Sequence, residues 1–202
     1  MVDSALSILV IDENRIRASV IEAGLREAGH HNVRIETEIK GIAAKISDFA
    51  PDVIFIDLGN PNRDMLENMF QLSRVVKRPI AMFVDRADKA SIERSVDAGV
   101  SAYIVDGLKK ERVKPILDMA VSRFNAFANM QRELEEARTE LENRRTIERA
   151  KGIIMHARNL SEPEAYALIR KTAMNQNRKI VDIAQGLIFA ATLLDPSSER
   201  EK

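Results

Sequence analysis

The sequence predicts an α/β domain built on a doubly wound, five-stranded parallel sheet, followed by a purely helical C-terminal part. Three observations carry this. Short apolar runs rich in Val and Ile alternate with amphipathic stretches from residue 7 to residue 120. Acidic residues stand at the ends of the first and third runs. From Lys110 a helical pattern continues to about Arg158, and two more amphipathic stretches follow it.

The apolar runs are SILVI (7–11), NVRIE (32–36), VIFID (53–57), IAMFV (80–84) and AYIV (102–105). Their length and β-branched content predict buried strands. Helical stretches lie near 14–28, 39–49, 65–76, 88–97 and from 109 onward. Five β–α units in series predict a parallel sheet covered on both faces. Ligands of such sheets sit at the carboxyl ends of the strands, where the sequence places Asp12, Glu13 and Asp57.

The fifth helix is interrupted only by Pro115, close to its start, and by Gly152. Phe127, Met130, Leu134, Ala137 and Leu141 follow the 3–4 spacing of a coiled-coil seam, and the stripe fades at Arg144 and Glu148. Either a dimer seam or a single helix packed on its own domain fits that pattern. Ser161 is an N-cap candidate, with Pro163 and Glu164 in the following turn and Ala165, Leu168, Ile169 and Ala173 directed to a core. A last helix is expected from Ile180 to Leu194 and is stopped by Asp195-Pro196. The expected division is residues 1–121 (α/β domain), 122–143 (coiled-coil linker helix), 144–195 (three-helix domain) and 196–202 (disordered tail).

Composition narrows the function classes. There is no cysteine, which removes disulfides, cysteine–zinc sites and thiol nucleophiles. His30 and His31 are expected as a solvated pair beside Gly29 rather than as a metal site. No apolar run approaches the ~20 residues of a membrane span, and the N-terminus lacks a basic signal-like region, so a cytoplasmic protein is expected. Charges balance over the chain, with 31 basic and 31 acidic residues, but residues 143–193 hold nine Lys/Arg against four acids. A basic end on a neutral chain suits a polyanion-binding half, and solvated helix faces are the plainer alternative.

The motifs ILVIDEN (8–14), IFIDLGNP (54–61), RPIAMFV (78–84) and DAGVSAYIVDG (97–107) resemble those of response-regulator receiver domains, which have a flavodoxin-like fold. The resemblance implies that Asp12, Glu13 and Asp57 face a divalent ion, that Gly59 lends it a carbonyl, and that Asp57 corresponds to the phosphoryl acceptor. Two positions depart from the pattern. Val84 stands where the family has a hydroxyl residue, and Asp106 where it has a lysine. Valine offers no hydrogen bond to a phosphoryl oxygen, and the aspartate makes an acidic cluster more acidic. Three readings of Asp12, Glu13 and Asp57 remain open: a working phosphoacceptor pocket, a vestigial one, or carboxylates serving neighbouring helix ends. No enzymatic activity and no required cofactor are expected, with Mg²⁺ on the three acids the one candidate.

The segment 144–188, with Ile147, Ala150-Lys151-Gly152, Met155, Glu164-Ala165, Leu168, Ala173-Met174 and Ile183-Ala184, resembles the ANTAR family of RNA-binding antitermination domains. That resemblance implies a leader-transcript target with paired hairpins. Lys151, Arg158, Arg170, Lys171, Arg178 and Lys179 are then candidate phosphate contacts, and Asn175, Gln176 and Asn177 candidate readers of base edges. Tyr166 is a candidate stacking residue or a packing residue, and Gly152 a point of close approach for RNA or a helix. Val84, Asp106 and the chain length are most similar to nitrate/nitrite-responsive regulators of the NasT type. Such a regulator implies control by a cytoplasmic nitrate/nitrite-sensor protein and a homodimer, at least on RNA. The alternatives are a phosphorylation-dependent regulator of RNA or DNA, and a protein-interaction adaptor.

Overall fold

The computed structural model describes residues 6–105 and 109–194. The chain divides into two compact units, residues 1–129 and 130–202.

The first unit is the expected parallel sheet. Its strands are β1 (Ser7–Asp12), β2 (Asn32–Glu36), β3 (Val53–Asp57), β4 (Ile80–Val84) and β5 (Ala102–Val105), in the order β2-β1-β3-β4-β5. All four pairings are parallel. Four helices follow the first four strands: α1 (Arg15–Glu27), α2 (Ile42–Phe49), α3 (Arg63–Val75) and α4 (Lys89–Asp97). A 3-10 turn at Lys110–Arg112 leads into α5 (Val113–Arg158), so the α-helix proper begins two residues before Pro115, where a missing N–H costs little.

The period-2 geometry of a strand explains the continuous apolar runs. Ile8, Val10, Phe55 and Phe83 pack with Ala18, Ile21 and Leu25 of α1 and with Val113, Ile116 and Leu117 of α5. Leu9, Ile11, Ile54, Ile56, Ile80 and Met82 face the other way, onto Ile42 and Ile46 of α2 and Leu66, Met69 and Phe70 of α3. Asn14, Asn62 and Asp88 cap α1, α3 and α4 by accepting backbone N–H groups with their side chains. The N-cap roles thus fall to these residues and not to Asp12 or Asp57. His30 also differs from expectation. It is buried, and its Nδ1 accepts the Leu6 N–H at 3.3 Å.

In the second unit the end of α5 packs with α6 (Glu162–Asn175) and α7 (Ile180–Leu194). The core is Ala150, Ile154, Ala165, Ile169, Ala173, Ile183 and Ala184. Four alanines among seven residues allow close helix approach. Both connections use an asparagine at positive φ, Asn159 (49°) and Asn177 (50°), a conformation that Asn tolerates better than most residues. The Glu164 carboxylate accepts both the N–H of Ser161, at 2.8 Å, and its hydroxyl, which closes the start of α6.

Candidate functional site

Two regions gather the candidate residues, one in each unit. In the first, β1 and β3 end in register, with Asp12 opposite Asp57. Both carboxylates are buried, while Glu13 is exposed. Among the described residues no three acids or histidines converge as a metal site. Val84 is buried at the end of β4, and Asp106 lies outside the described residues.

A cation that the sequence reading did not select lies between the two aspartates. Arg17, in the first turn of α1, donates from Nη2 to Asp12 Oδ1 at 3.0 Å, and its Nε stands 3.7 Å from Asp57 Oδ2. Gly59, at φ +60°, accommodates the guanidinium. A Cβ there would collide with Arg17 Nη1 and lie 3.1 Å from Nη2. The expected uncompensated acidic cluster is therefore corrected, because one guanidinium serves two buried carboxylates. A signal for it exists in the sequence. Basic residues at Arg15 and Arg17 open a helix against its dipole, and such placement calls for a nearby carboxylate. Burial raises the Asp57 pKa, and the charges of Asp12 and Asp85 add to this, against the Gly59 N–H and Arg17. Partial burial works against the charge of Arg17, but its hydrogen bond to Asp12 and the charges of Asp57, Asp12 and Asp85 outweigh that and raise its pKa.

These residues do not fit the divalent ion that the receiver fold implies. Glu13 points to solvent, the guanidinium holds the aspartates, and the Gly59 carbonyl already accepts the Asp85 N–H at 2.6 Å. The expectation of Mg²⁺ on Asp12, Glu13 and Asp57 is corrected on that ground.

In the second unit Arg158, Arg170, Lys171, Asn175, Gln176, Asn177, Arg178 and Lys179 are all exposed. Lys171 and Asn175 share the α6 face that carries Glu164, Ala167 and Leu168, and Gln176 to Lys179 form the turn into α7. Arg158 and Lys171 line one cavity of about 670 Å³ with Leu160, Glu164, Ala167 and Leu168. That cavity joins an apolar wall to two cations. Tyr166 is 40% exposed, which leaves its ring available for stacking.

Lys151 is the correction in this group. It is buried, and its Nζ donates to Glu148 Oε1 and Oε2 at 2.8 Å each and to Glu162 Oε1 at 2.6 Å. It binds α5 to the start of α6 and has no donor left for a phosphate. Its hydrogen bonds to Glu148 and Glu162 raise its pKa, and the Lys151 bond lowers that of Glu162. With these three charges locked together, the exposed cations face only Glu164 and Asp182 within residues 143–193. Gly152 is exposed, and apart from its own stretch of α5 nothing among the described residues lies within 4 Å of where its Cβ would stand. No helix of the described chain therefore explains that glycine by close packing.

The candidate seam residues Phe127 (59% exposed), Met130 (66%), Leu134 (46%), Ala137 and Leu141 (51%) are all exposed along α5. Among the described residues no helix is long and apolar enough to cross a membrane.

A receiver-type sheet followed by a basic three-helix unit resembles the arrangement of a response regulator. Comparison with known proteins agrees at each level. The first unit resembles a response regulator from Thermotoga maritima (TM-score 0.51, 21% identity, 59% of this chain and 99% of that one), a likeness of fold. A CheY-like receiver domain from Methanospirillum hungatei gives a TM-score of 0.50 at 19% identity, over 61% of this chain and 98% of that one. The ANTAR domain profile matches residues 135–188. The chain is similar to ANTAR response regulators, with that match lying behind a receiver-type sheet. It is 28% identical to the transcriptional regulatory protein PdtaR of Mycobacterium tuberculosis over 174 residues, 86% of this chain and 84% of the relative. It is 29% identical to the nitrate regulatory protein of Klebsiella oxytoca over 80 residues, 40% of this chain and 20% of that relative.

Proposed function

We propose that this regulator is a cytoplasmic transcription antiterminator that binds paired hairpins in leader mRNA. The observation that carries the reading is the set of exposed side chains between Arg170 and Lys179, four cations and three amides along the end of α6 and its turn. Cations meet phosphates without regard to sequence, and amides offer a donor and an acceptor to unstacked base edges. Arg158 adds a fifth exposed cation, and Leu160, Ala167 and Leu168 give the cavity beside it an apolar wall suited to a splayed base.

The target genes proposed are those of nitrate and nitrite assimilation, in line with the similarity to the nitrate regulatory protein. Control passes through a cytoplasmic sensor protein, not through phosphorylation. Val84 lacks the hydroxyl that phosphoryl signalling uses, and Arg17 already compensates the aspartates. Two copies joined along Phe127, Met130, Leu134, Ala137 and Leu141 place two RNA-binding units on one transcript, so the second hairpin is bound intramolecularly.

The test is fluorescence anisotropy of the full chain with a two-hairpin RNA, a single hairpin and a duplex DNA of equal length. Preference for the two-hairpin RNA is expected. Equal affinity for duplex DNA would overturn the RNA reading.

A further inference from the structure

We infer that Arg17 is a resident cation that closes the aspartate pocket of the receiver unit to divalent metal ions. The inference stands apart from the RNA reading, since it concerns the first unit alone.

The argument begins with charge. Asp12 and Asp57 are buried side by side at neighbouring strand ends, and two buried carboxylates need a counter-charge. Arg17 supplies it from within the chain, from a helix that starts three residues after Asp12. Because the guanidinium is tethered, its local concentration never falls, whereas a free ion must compete for the same oxygens.

Geometry adds exclusion to competition. The guanidinium lies over Gly59, with Nη1 closer than a Cβ there would allow, so it fills the space beside the two carboxylates that a hydrated ion would need. Mg²⁺ requires near-ideal octahedral coordination and keeps several of its waters. Asp12 Oδ1 is occupied by the Asn14 N–H at 2.8 Å and by Arg17, and Asp57 Oδ1 by the Gly59 N–H at 2.9 Å. The two remaining oxygens, Asp12 Oδ2 and Asp57 Oδ2, would be the pair for a metal. Asp12 Oδ2 and Arg17 Nε are both buried without a hydrogen bond among the described residues. The guanidinium therefore acts on this pair mainly as a charge and a plug. Its removal takes the positive charge away from Asp12 Oδ1 and Asp57 Oδ2 and leaves two buried carboxylates without a counter-charge, which is the condition under which a divalent ion binds.

The experiment titrates Mn²⁺ into the full-length protein and reads free Mn²⁺ by electron paramagnetic resonance. Native chain, Arg17→Ala, Arg17→Gln and Arg17→Ala/Asp57→Asn are compared. The Arg17 variants should bind one Mn²⁺ at least about tenfold more tightly than the native chain, and the double variant should lose that gain. Mn²⁺ should raise Tm in Arg17→Ala and Arg17→Gln but not in the native chain. Should Arg17→Ala fail to fold without metal, Arg17→Gln keeps length and polarity and carries the same comparison. Native protein that binds Mn²⁺ as tightly as the variants would overturn the inference. So would variants that fold and gain no affinity. Chemical shifts of the Asp57 and Gly59 amides that move in native protein on adding Mg²⁺ would overturn it as well.

Discussion

The salt dependence of RNA binding separates exposed from buried cations. Five candidate phosphate contacts are exposed: Arg158, Arg170, Lys171, Arg178 and Lys179. Lys151 is not among them, because Glu148 and Glu162 hold its ammonium group. If each exposed cation neutralises one phosphate, the slope of log K against log salt is about −3.5 to −4.5, the range between single-stranded and duplex contacts. Affinity should then fall about 100- to 500-fold between 50 and 200 mM salt. Arg178→Ala/Lys179→Ala removes two contacts and should make the slope shallower by about 1.4 to 1.8. Lys151→Met should leave the slope unchanged in protein that remains folded, although methionine keeps the stem and loses the charge. The assay is anisotropy with a two-hairpin RNA across a salt series, with circular dichroism to confirm folding. A slope that falls in Lys151→Met while staying constant in Arg178→Ala/Lys179→Ala would refute the assignment of the interface.

Further expectations concern assembly, signalling and stability. The native chain should sediment as a dimer on two-hairpin RNA and Leu134→Asp/Leu141→Asp as a monomer, since the seam supplies only on the order of a few kcal/mol per helix pair; an unchanged dimer would reject the seam. Asp57→Asn should retain antitermination in a reporter strain, and loss of induction at normal protein level and RNA affinity would restore the phosphoacceptor reading. The Lys151–Glu162 bond holds Glu162 below its ordinary pKa. Its contribution is therefore full above the ordinary carboxylate value and is lost as pH falls through and below it. Amide exchange at Ile169 should show a larger acid-side loss in native protein than in Lys151→Met, since Ser161 holds Glu164 low in both. Ile169→Ala, at a site 1% exposed, should destabilise the helical unit by about 2–5 kcal/mol in denaturant melts.

The strands and helices were legible in the sequence because both faces of the sheet are covered. Each strand is then a continuous apolar run, and VIFID and IAMFV contain no competing helical period. Ser161 and Glu164 announced the start of α6 by the same local logic, since a cap depends on residues three apart. The departure at Val84 was legible only through the resemblance to receiver domains, which have a hydroxyl residue at that position. The distinction between Lys151 and Arg170 was not legible. Both are basic residues on amphipathic helices of a basic segment. Only the packing of α6 on α5 brings Glu162 to Lys151 and leaves Arg170 in water. Arg17 and Arg15 likewise read alike in the sequence, both a few residues after Asp12. The register of β1 on β3 sets Asp12 against Asp57, and α1 leaves the end of β1 so that residue 17 reaches both. Charge and periodicity are local properties and can be read from a chain. Which opposite charges meet, and which of them lose their water, depends on contacts between distant elements, and the tertiary structure alone decides it.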